Sequence, residues 1–265
     1  MFNFAIIEIS DMNRKSLFVC ALGFLLTGAS CTSQYKIVNV ERTRVIIDDR
    51  FDKQPDSAAV AFLEPYRHAV DSMSSPLVGK AANDMERGRP ESRLSNLLSD
   101  ILVWGAERVG DKADFGIYNM GGIRATIAKG NVTYGDILDV APFENKLCVF
   151  TLTGEKVVQL MNEIAARGGE GVSSSVRMVI TNDNKLVSAT INGKEIDKTK
   201  NYRVATIDYL AQGNDGLEAL AAGTDMKSLT DDKYNSRFII MDYFKGMMKK
   251  GKAVKSEIEG RIIIK

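Results

Sequence analysis

Histidine is almost missing from this chain: His68 is the only one in 265 residues. A two-metal centre that attacks a phosphate ester needs several well-placed ligands and an activated water. One histidine, on a helical stretch beside Tyr66 and Arg67, does not supply it. A Ser-His-Asp arrangement would have to use the same residue, and no nucleophile-elbow motif accompanies it. No phosphate-cradling loop of the Walker type occurs either. His68 therefore reads as a structural residue at or near the surface. Cysteine is scarce too, with three in all. Cys20 and Cys31 fall in the first 31 residues, and Cys148 lies in an apolar, strand-like run with no local base. No pair is left for a structural disulfide, so the fold must be held by its core. Charge excess is the third absence: 35 Lys and Arg face 34 Asp and Glu, a formal charge of +1. Nucleic-acid binding usually demands a basic patch or stripe, and the composition shows none.

The first 31 residues stand apart. "MNRKSLFVCALGFLLTGASC" opens at Met12, places Arg14 and Lys15 before an apolar run from Leu17 to Leu26, and ends in small residues and Cys31. This is the layout of a bacterial export signal, and its apolar run is too short for a comfortable membrane span. The preceding "MFNFAIIEISD" has no basic start, so Met12 is the expected initiator. Cys31 has two readings. It is a lipobox cysteine, acylated and followed by a polar tether "TSQ", or an ordinary thiol near a cleavage site. The lipobox is preferred, although Gly28 stands where an aliphatic residue is usual.

The remaining chain, 45% hydrophobic overall, suits one large domain or two small ones. The expected organisation is an export signal over 1–31, a tether and N-terminal extension over 32–76, and a domain over 77–265. "KIVNVERTRVIID" alternates apolar and polar residues and predicts a strand or hairpin. "DSAAVAFLEPYRHAVDSM" predicts a helix capped by Asp56 or Ser57 and bent or broken at Pro65. In "ESRLSNLLSDILVWGAERV", Leu94, Leu97, Leu98, Ile101 and Leu102 recur at helical spacing. "ADFGIYN", "KLCVFTLTG" and "GRIIIK" read as strands, and "VRMVITNDNKLVSATING" as a hairpin turning at Asn182–Asn184. "GEKVVQLMNEIAARGG" and "SRFIIMDYFKGMMKKG" read as helices, and "NYRVATIDYLAQGNDG" as a strand entering a glycine-rich loop. Strands and helices mix without strict alternation, which predicts an α+β fold, a mixed β-sheet with packed helices.

Three segments could hold a ligand. Gly121 and Gly122 follow a strand, where glycine permits positive φ and a close approach to the backbone. Arg124 would project from that turn, a planar fork of donors suited to phosphate, carboxylate or sugar oxygens. "APFEN" adds Phe143 behind Pro142, with Asn145 beyond. "DYLAQGNDG" adds Tyr209 and a loop carrying Asn214, Asp215 and Gly216. Two aromatic faces on a base contribute roughly 1–3 kcal/mol per stacked base, and an aspartate beside them could accept hydrogen bonds from ribose.

Taken together, "NMGGIRATIAKGNVTYGDILDVAPFENKLCVFTLTGEKV", "YRVATIDYLAQGNDGL" and "ESRLSNLLSD" resemble the C-terminal domain of the 5′-nucleotidase family, in its order and spacing, over roughly residues 77–264. The resemblance implies that Phe143 and Tyr209 sandwich the nucleobase. It implies that Asn119, Arg124 and Asn145 contact base, sugar or phosphate-side groups, and that Asp215 binds ribose hydroxyls. A further family arginine falls at Arg89 or Arg87, and a backbone contact at Gly168 or Gly169. Gly122 belongs to the first motif. This chain departs from the pattern in three places: Tyr209 where Phe is usual, Met120 for a third glycine, and Leu217 for an aromatic.

In that family hydrolysis takes place on a separate N-terminal domain with two metal ions, whose Asp and His motifs this sequence lacks. The expectation is a nucleotide-binding half with no cofactor and no catalysis of its own, serving nucleotide breakdown. Divalent metals would sit on a separate metallophosphatase chain, and the protein would be exported to the periplasm or cell envelope and lipid-anchored at Cys31. The alternative is a lipoprotein that captures nucleosides or nucleotides without an enzyme partner.

Overall fold

The structure is a computed structural model, and it describes residues 36–53 and 55–265. The expected export signal and Cys31 lie outside the described residues. The chain divides into two units, Met1–Asp56 and Ser57–Lys265.

In the first unit the alternating run over 36–47 forms no strand. The expectation of a strand or hairpin there is corrected by a simple physical fact: a strand needs a hydrogen-bonding neighbour, and none of the described strands pairs with this run. Ile37, Val38 and Ile47 are exposed. A turn follows, where Asp48 accepts from the backbone N–H of Arg50 at 3.1 Å and from its Nε at 2.7 Å.

The second unit opens with helix α1 (Ser57–Ser74), which runs unbroken through Pro65. No residue of α1 is buried. Strand β1 (Leu77–Ala81) then pairs antiparallel with β3 (Gly130–Thr133) in a two-stranded sheet. Helix α2 (Arg93–Arg108) begins at a reciprocal cap in which Ser92 and Ser95 satisfy each other's backbone N–H groups. Its expected stripe of Leu94, Leu97, Leu98, Ile101 and Leu102 is buried, each such side chain worth about 1.5–3 kcal/mol of transfer. That face rests on β2 (Phe115–Tyr118) and β5 (Gly171–Val172). The approach is close enough that a Cβ on Gly116 would sit 2.6 Å from the carbonyl oxygen of Ser99.

A five-stranded sheet forms the centre, ordered β10-β4-β9-β2-β5, with β4 spanning Leu147–Thr153, β9 Asn201–Ile207 and β10 Thr224–Ser228. β2 and β9 run parallel, while the β4–β9 and β2–β5 pairs are antiparallel. A four-stranded sheet has the order β11-β6-β7-β8, from Ile262–Ile264, Val176–Ile180, Leu186–Ile191 and Lys194–Glu195. The β6–β7 hairpin turns where predicted, with Asn184 at φ 61°. Helices α3 (Tyr134–Val140), α4 (Gly154–Ala166), α5 (Asp208–Ala211) and α6 (Ser236–Lys249) complete an α+β fold with mixed sheets. α5 is one turn, formed where the sequence predicts a strand passing straight into a loop.

Arg261, 2% exposed, locks the end of the chain to α2. Its guanidinium pairs both oxygens of Asp100 at 3.0 and 2.7 Å and donates to the Val172 carbonyl at 2.8 Å. No helix among the described residues is long and apolar enough to cross a membrane. His68 is exposed on α1, 3.3 Å from Glu64, and Cys148 is buried on β4.

Candidate functional site

Three chain reversals at the ends of β2, α3 and β9 meet around one cleft. After β2 the chain makes a short 3-10 turn, Met120–Gly122, entered from Asn119. Asn119 is buried, and its Nδ2 donates to Asp215 Oδ2 at 2.6 Å. Its Oδ1 is buried with no hydrogen-bond partner, a costly state for an amide oxygen. Glycine at 122 also has a packing reason that the sequence does not show. Neither Gly121 nor Gly122 takes a positive φ. A Cβ on Gly122 would instead lie 2.5 Å from Asn119 Oδ1 and displace that side chain.

Arg124 follows, its backbone N–H bound to the Val140 carbonyl at 3.0 Å. Its guanidinium carbon lies 6.0 Å from the centre of the Phe143 ring, at the outer limit of a cation–π contact. The loop bearing Phe143 is pinned to the start of α6 on both sides: the Pro142 carbonyl accepts from Arg237 at 3.1 Å, and the Asn145 carbonyl from the Ser236 N–H at 2.7 Å. Phe143 itself remains 46% exposed. A core plug would be buried, so this ring is presented and not packed.

Tyr209 stands on α5, 38% exposed. Asp208 fixes its start, since Asp208 Oδ1 accepts from the backbone N–H of Tyr209 at 2.8 Å and of Lys146 at 3.1 Å. The loop beyond turns through Gly213 (φ 82°), Asp215 (φ 57°) and Gly216 (φ 68°). This left-handed path brings Asp215 back so that its Oδ1 accepts from the Tyr209 hydroxyl at 2.9 Å. That hydrogen bond, reinforced by the aspartate charge, holds the Tyr209 phenol above its ordinary pKa.

Asn119, Gly121, Gly122, Phe143, Asn145, Tyr209 and Asp215 line this cleft of about 220 Å³. Six of the predicted binding residues are thus brought together, with Arg124 beside them on Phe143. Arg89 is placed elsewhere. It lines an adjoining cleft of about 380 Å³ with Arg87, Arg167 and Met120, and Gly121 borders both. Pockets for drug-sized ligands run about 300–1,000 Å³; the aromatic cleft falls below that range and the arginine cleft within it.

Glu170 is the residue that sequence reasoning missed. Its side chain is fully buried, where it accepts from Arg89 Nη2, from Arg167 Nε at 2.7 Å and from the backbone N–H of Met120. One carboxylate therefore ties the arginine cleft to the turn that carries Asn119 and Gly122. Gly169 makes the approach possible: at φ 104°, a Cβ there would lie 2.3 Å from the Pro90 carbonyl oxygen, and the Gly169 carbonyl accepts from Arg89 Nε at 2.8 Å. A charged residue placed directly after Gly168-Gly169 was the available signal.

Among the described residues, no group of three or more His, Cys, Asp or Glu side chains is placed to hold a metal ion. The described residues do not fit a two-metal hydrolytic centre. What the cleft can do is clasp a flat ring, accept hydrogen bonds from hydroxyls at Asp215 and present arginines to an anion.

Comparison with known proteins bears on this geometry. Residues 77–222 match the family description 5′-nucleotidase, C-terminal domain. A 5′-nucleotidase of Vibrio vulnificus is 31% identical over 189 residues, covering 69% of this chain and 33% of that protein. Protein UshA of Escherichia coli is 27% identical over 164 residues, covering 61% and 30%. The crystal structure of a 5′-nucleotidase precursor from Thermus thermophilus superposes with a TM-score of 0.64 at 27% identity, covering 82% of this chain and 43% of that one. The chain spans about a third of the length of the curated relatives it matches. The family match takes in more than half of the chain and every residue of the aromatic cleft, and the chain belongs to the 5′-nucleotidase family by its C-terminal domain.

Proposed function

We propose that this chain binds a nucleoside or nucleotide in the Phe143–Tyr209 cleft and presents it to a metallophosphatase domain on a separate chain, which hydrolyses the phosphate ester. The observation that carries the reading is the meeting of two exposed aromatic residues and a fixed carboxylate in one cleft, with Arg124 beside it against Phe143. The base stacks between the rings and the ribose hydroxyls donate to Asp215. Asn119 and Asn145 contact base or sugar edges, and Arg124 and Arg89 take the phosphate side. Support for hydrolysis elsewhere comes from the scarcity of ligands: one histidine, exposed on α1, in 265 residues. Divalent metals belong to the partner. The basic start, apolar run and Cys31 of the N-terminal stretch support export and a lipid anchor in the cell envelope, which would concentrate both chains at one membrane surface.

Calorimetric titration with adenosine and AMP tests the site. Phe143→Ala or Tyr209→Ala removes one stacking face and should weaken binding by about 1–3 kcal/mol. Arg124→Ala removes charge-assisted bonds worth about 1.5–3 kcal/mol. Wild-type affinity in all three variants refutes the assignment. The same preparations, assayed for metal-dependent phosphate release from AMP alone and after co-purification from membranes, test the second half. Release by the isolated chain refutes the split arrangement. Binding with no activity in the membrane preparation leaves a capture protein.

A further inference from the structure

Asp215 has both carboxylate oxygens engaged by this protein's own side chains. Oδ2 accepts from Asn119 Nδ2 at 2.6 Å, and Oδ1 accepts from the Tyr209 hydroxyl at 2.9 Å. The second bond exists because residue 209 is tyrosine; a phenylalanine keeps the ring face and loses the donor. The Asp215 backbone, at φ 57° between Gly213 and Gly216, places the carboxylate between these two donors. A phenol is protonated at neutral pH, so the donor is present there.

We propose that Tyr209 is a specificity-determining residue for the sugar, and that it makes the cleft accept 2′-deoxyribonucleosides almost as well as ribonucleosides. This rests on the reading of the cleft as a nucleoside site. A site that relies on the ligand to satisfy a desolvated polar group discriminates strongly against an analogue lacking the hydroxyl, because that group is left unpaired. Here the ligand is not required for that purpose. Each carboxylate oxygen offers about two lone-pair directions, so a ribose hydroxyl can still add a bond to Asp215. When the hydroxyl is missing, the oxygen keeps its protein donor and is not stranded. Tyrosine at 209 thus lowers the penalty for deoxyribose and leaves ribose binding in place.

The test is calorimetric titration of adenosine and 2′-deoxyadenosine into the wild-type chain, Tyr209→Phe, and Tyr209→Phe combined with Asp215→Ala. The ratio of the two dissociation constants is the readout, because it cancels any general loss of stacking. We expect the wild-type constants to agree within a few-fold, and Tyr209→Phe to widen the preference for adenosine by about tenfold, since Oδ1 then depends on the ligand. Adding Asp215→Ala should close the gap again, because no carboxylate remains to be stranded. An equal ratio in wild type and Tyr209→Phe, or a wider gap in wild type, overturns the role of Tyr209 while leaving the nucleoside site standing. Absence of binding by either nucleoside to the wild-type chain overturns the site and this inference together.

Discussion

Removing the Glu170 carboxylate should cost more than any other single change near the clefts. Three donors converge on it: Arg89, Arg167 and the Met120 N–H. Breaking a buried ion pair by deleting one partner commonly costs about 3–5 kcal/mol. Two facts of this site reduce that figure. Arg89 and Arg167 are 39% and 31% exposed, so each can turn its charge to water once Glu170 is gone. Met120 is buried and cannot, so its orphaned N–H keeps a penalty of about 1–3 kcal/mol. With the space left by the truncated side chain, Glu170→Ala should destabilise by about 2–4 kcal/mol. Glu170→Gln keeps one acceptor oxygen and most of the volume, and should cost about half as much. Urea unfolding followed by circular dichroism measures this directly. With an m-value of about 2 kcal/mol/M, the alanine midpoint should fall by about 1–2 M. A midpoint within 0.2 M of wild type, or equal losses in the two variants, would refute the view that charge pairing at Glu170 organises this region.

Three further outcomes are expected. Asp111 binds Arg203 through two hydrogen bonds, at 3.1 and 2.6 Å, and the guanidinium holds its carboxyl below the usual range. The pair's contribution is full above the unfolded value of about 3.9 and is lost as pH falls through the lower folded value. Asp111→Asn should therefore cost about 1–2 kcal/mol at pH 7, with the difference from wild type shrinking below pH 4 in acid-titrated unfolding. On α1, Phe62, Leu63, Tyr66, Val70 and Met73 form an exposed apolar stripe at helical spacing. Phe62→Ser with Leu63→Ser should leave stability and adenosine affinity within about 0.5 kcal/mol, yet abolish partner-dependent AMP hydrolysis; unchanged hydrolysis would mean that the partner does not dock there. Cys31→Ser should release the chain from membranes or block its processing, and an unacylated wild-type mass on a wholly soluble protein would refute the lipobox.

The elements most legible in the sequence were those that carry their own pattern. The leucine spacing of α2 and the asparagine turn between β6 and β7 report local geometry, and both appear as predicted. The run over 36–47 carried an equally clear alternation and forms no strand, because alternation describes a face and supplies no neighbour to pair with. The clustering of Asn119, Phe143, Asn145, Tyr209 and Asp215 was legible through the family's motif order. Their hydrogen bonds were not, because the bond from Asn119 to Asp215 spans 96 positions. Glu170 escaped notice, whereas His68 was read as a surface residue and is one. A charged side chain reads as surface by default, and only the folded chain shows two arginines brought to it.

The Arg261 latch has a consequence for the order of events in folding. The helix that builds the core beneath β2 is complete by residue 108, but its Asp100 waits for a guanidinium 161 positions later. Likewise, the Lys80 carbonyl and the Ala82 N–H, at the end of the first strand, are answered by Val254. Contacts this far apart along the chain make closure slow. A ribosome that has delivered the first two hundred residues has therefore delivered a domain that cannot yet shut, and the interval before the last strand emerges is when such a chain remains threadable and most in need of protection from its own exposed sheet edges.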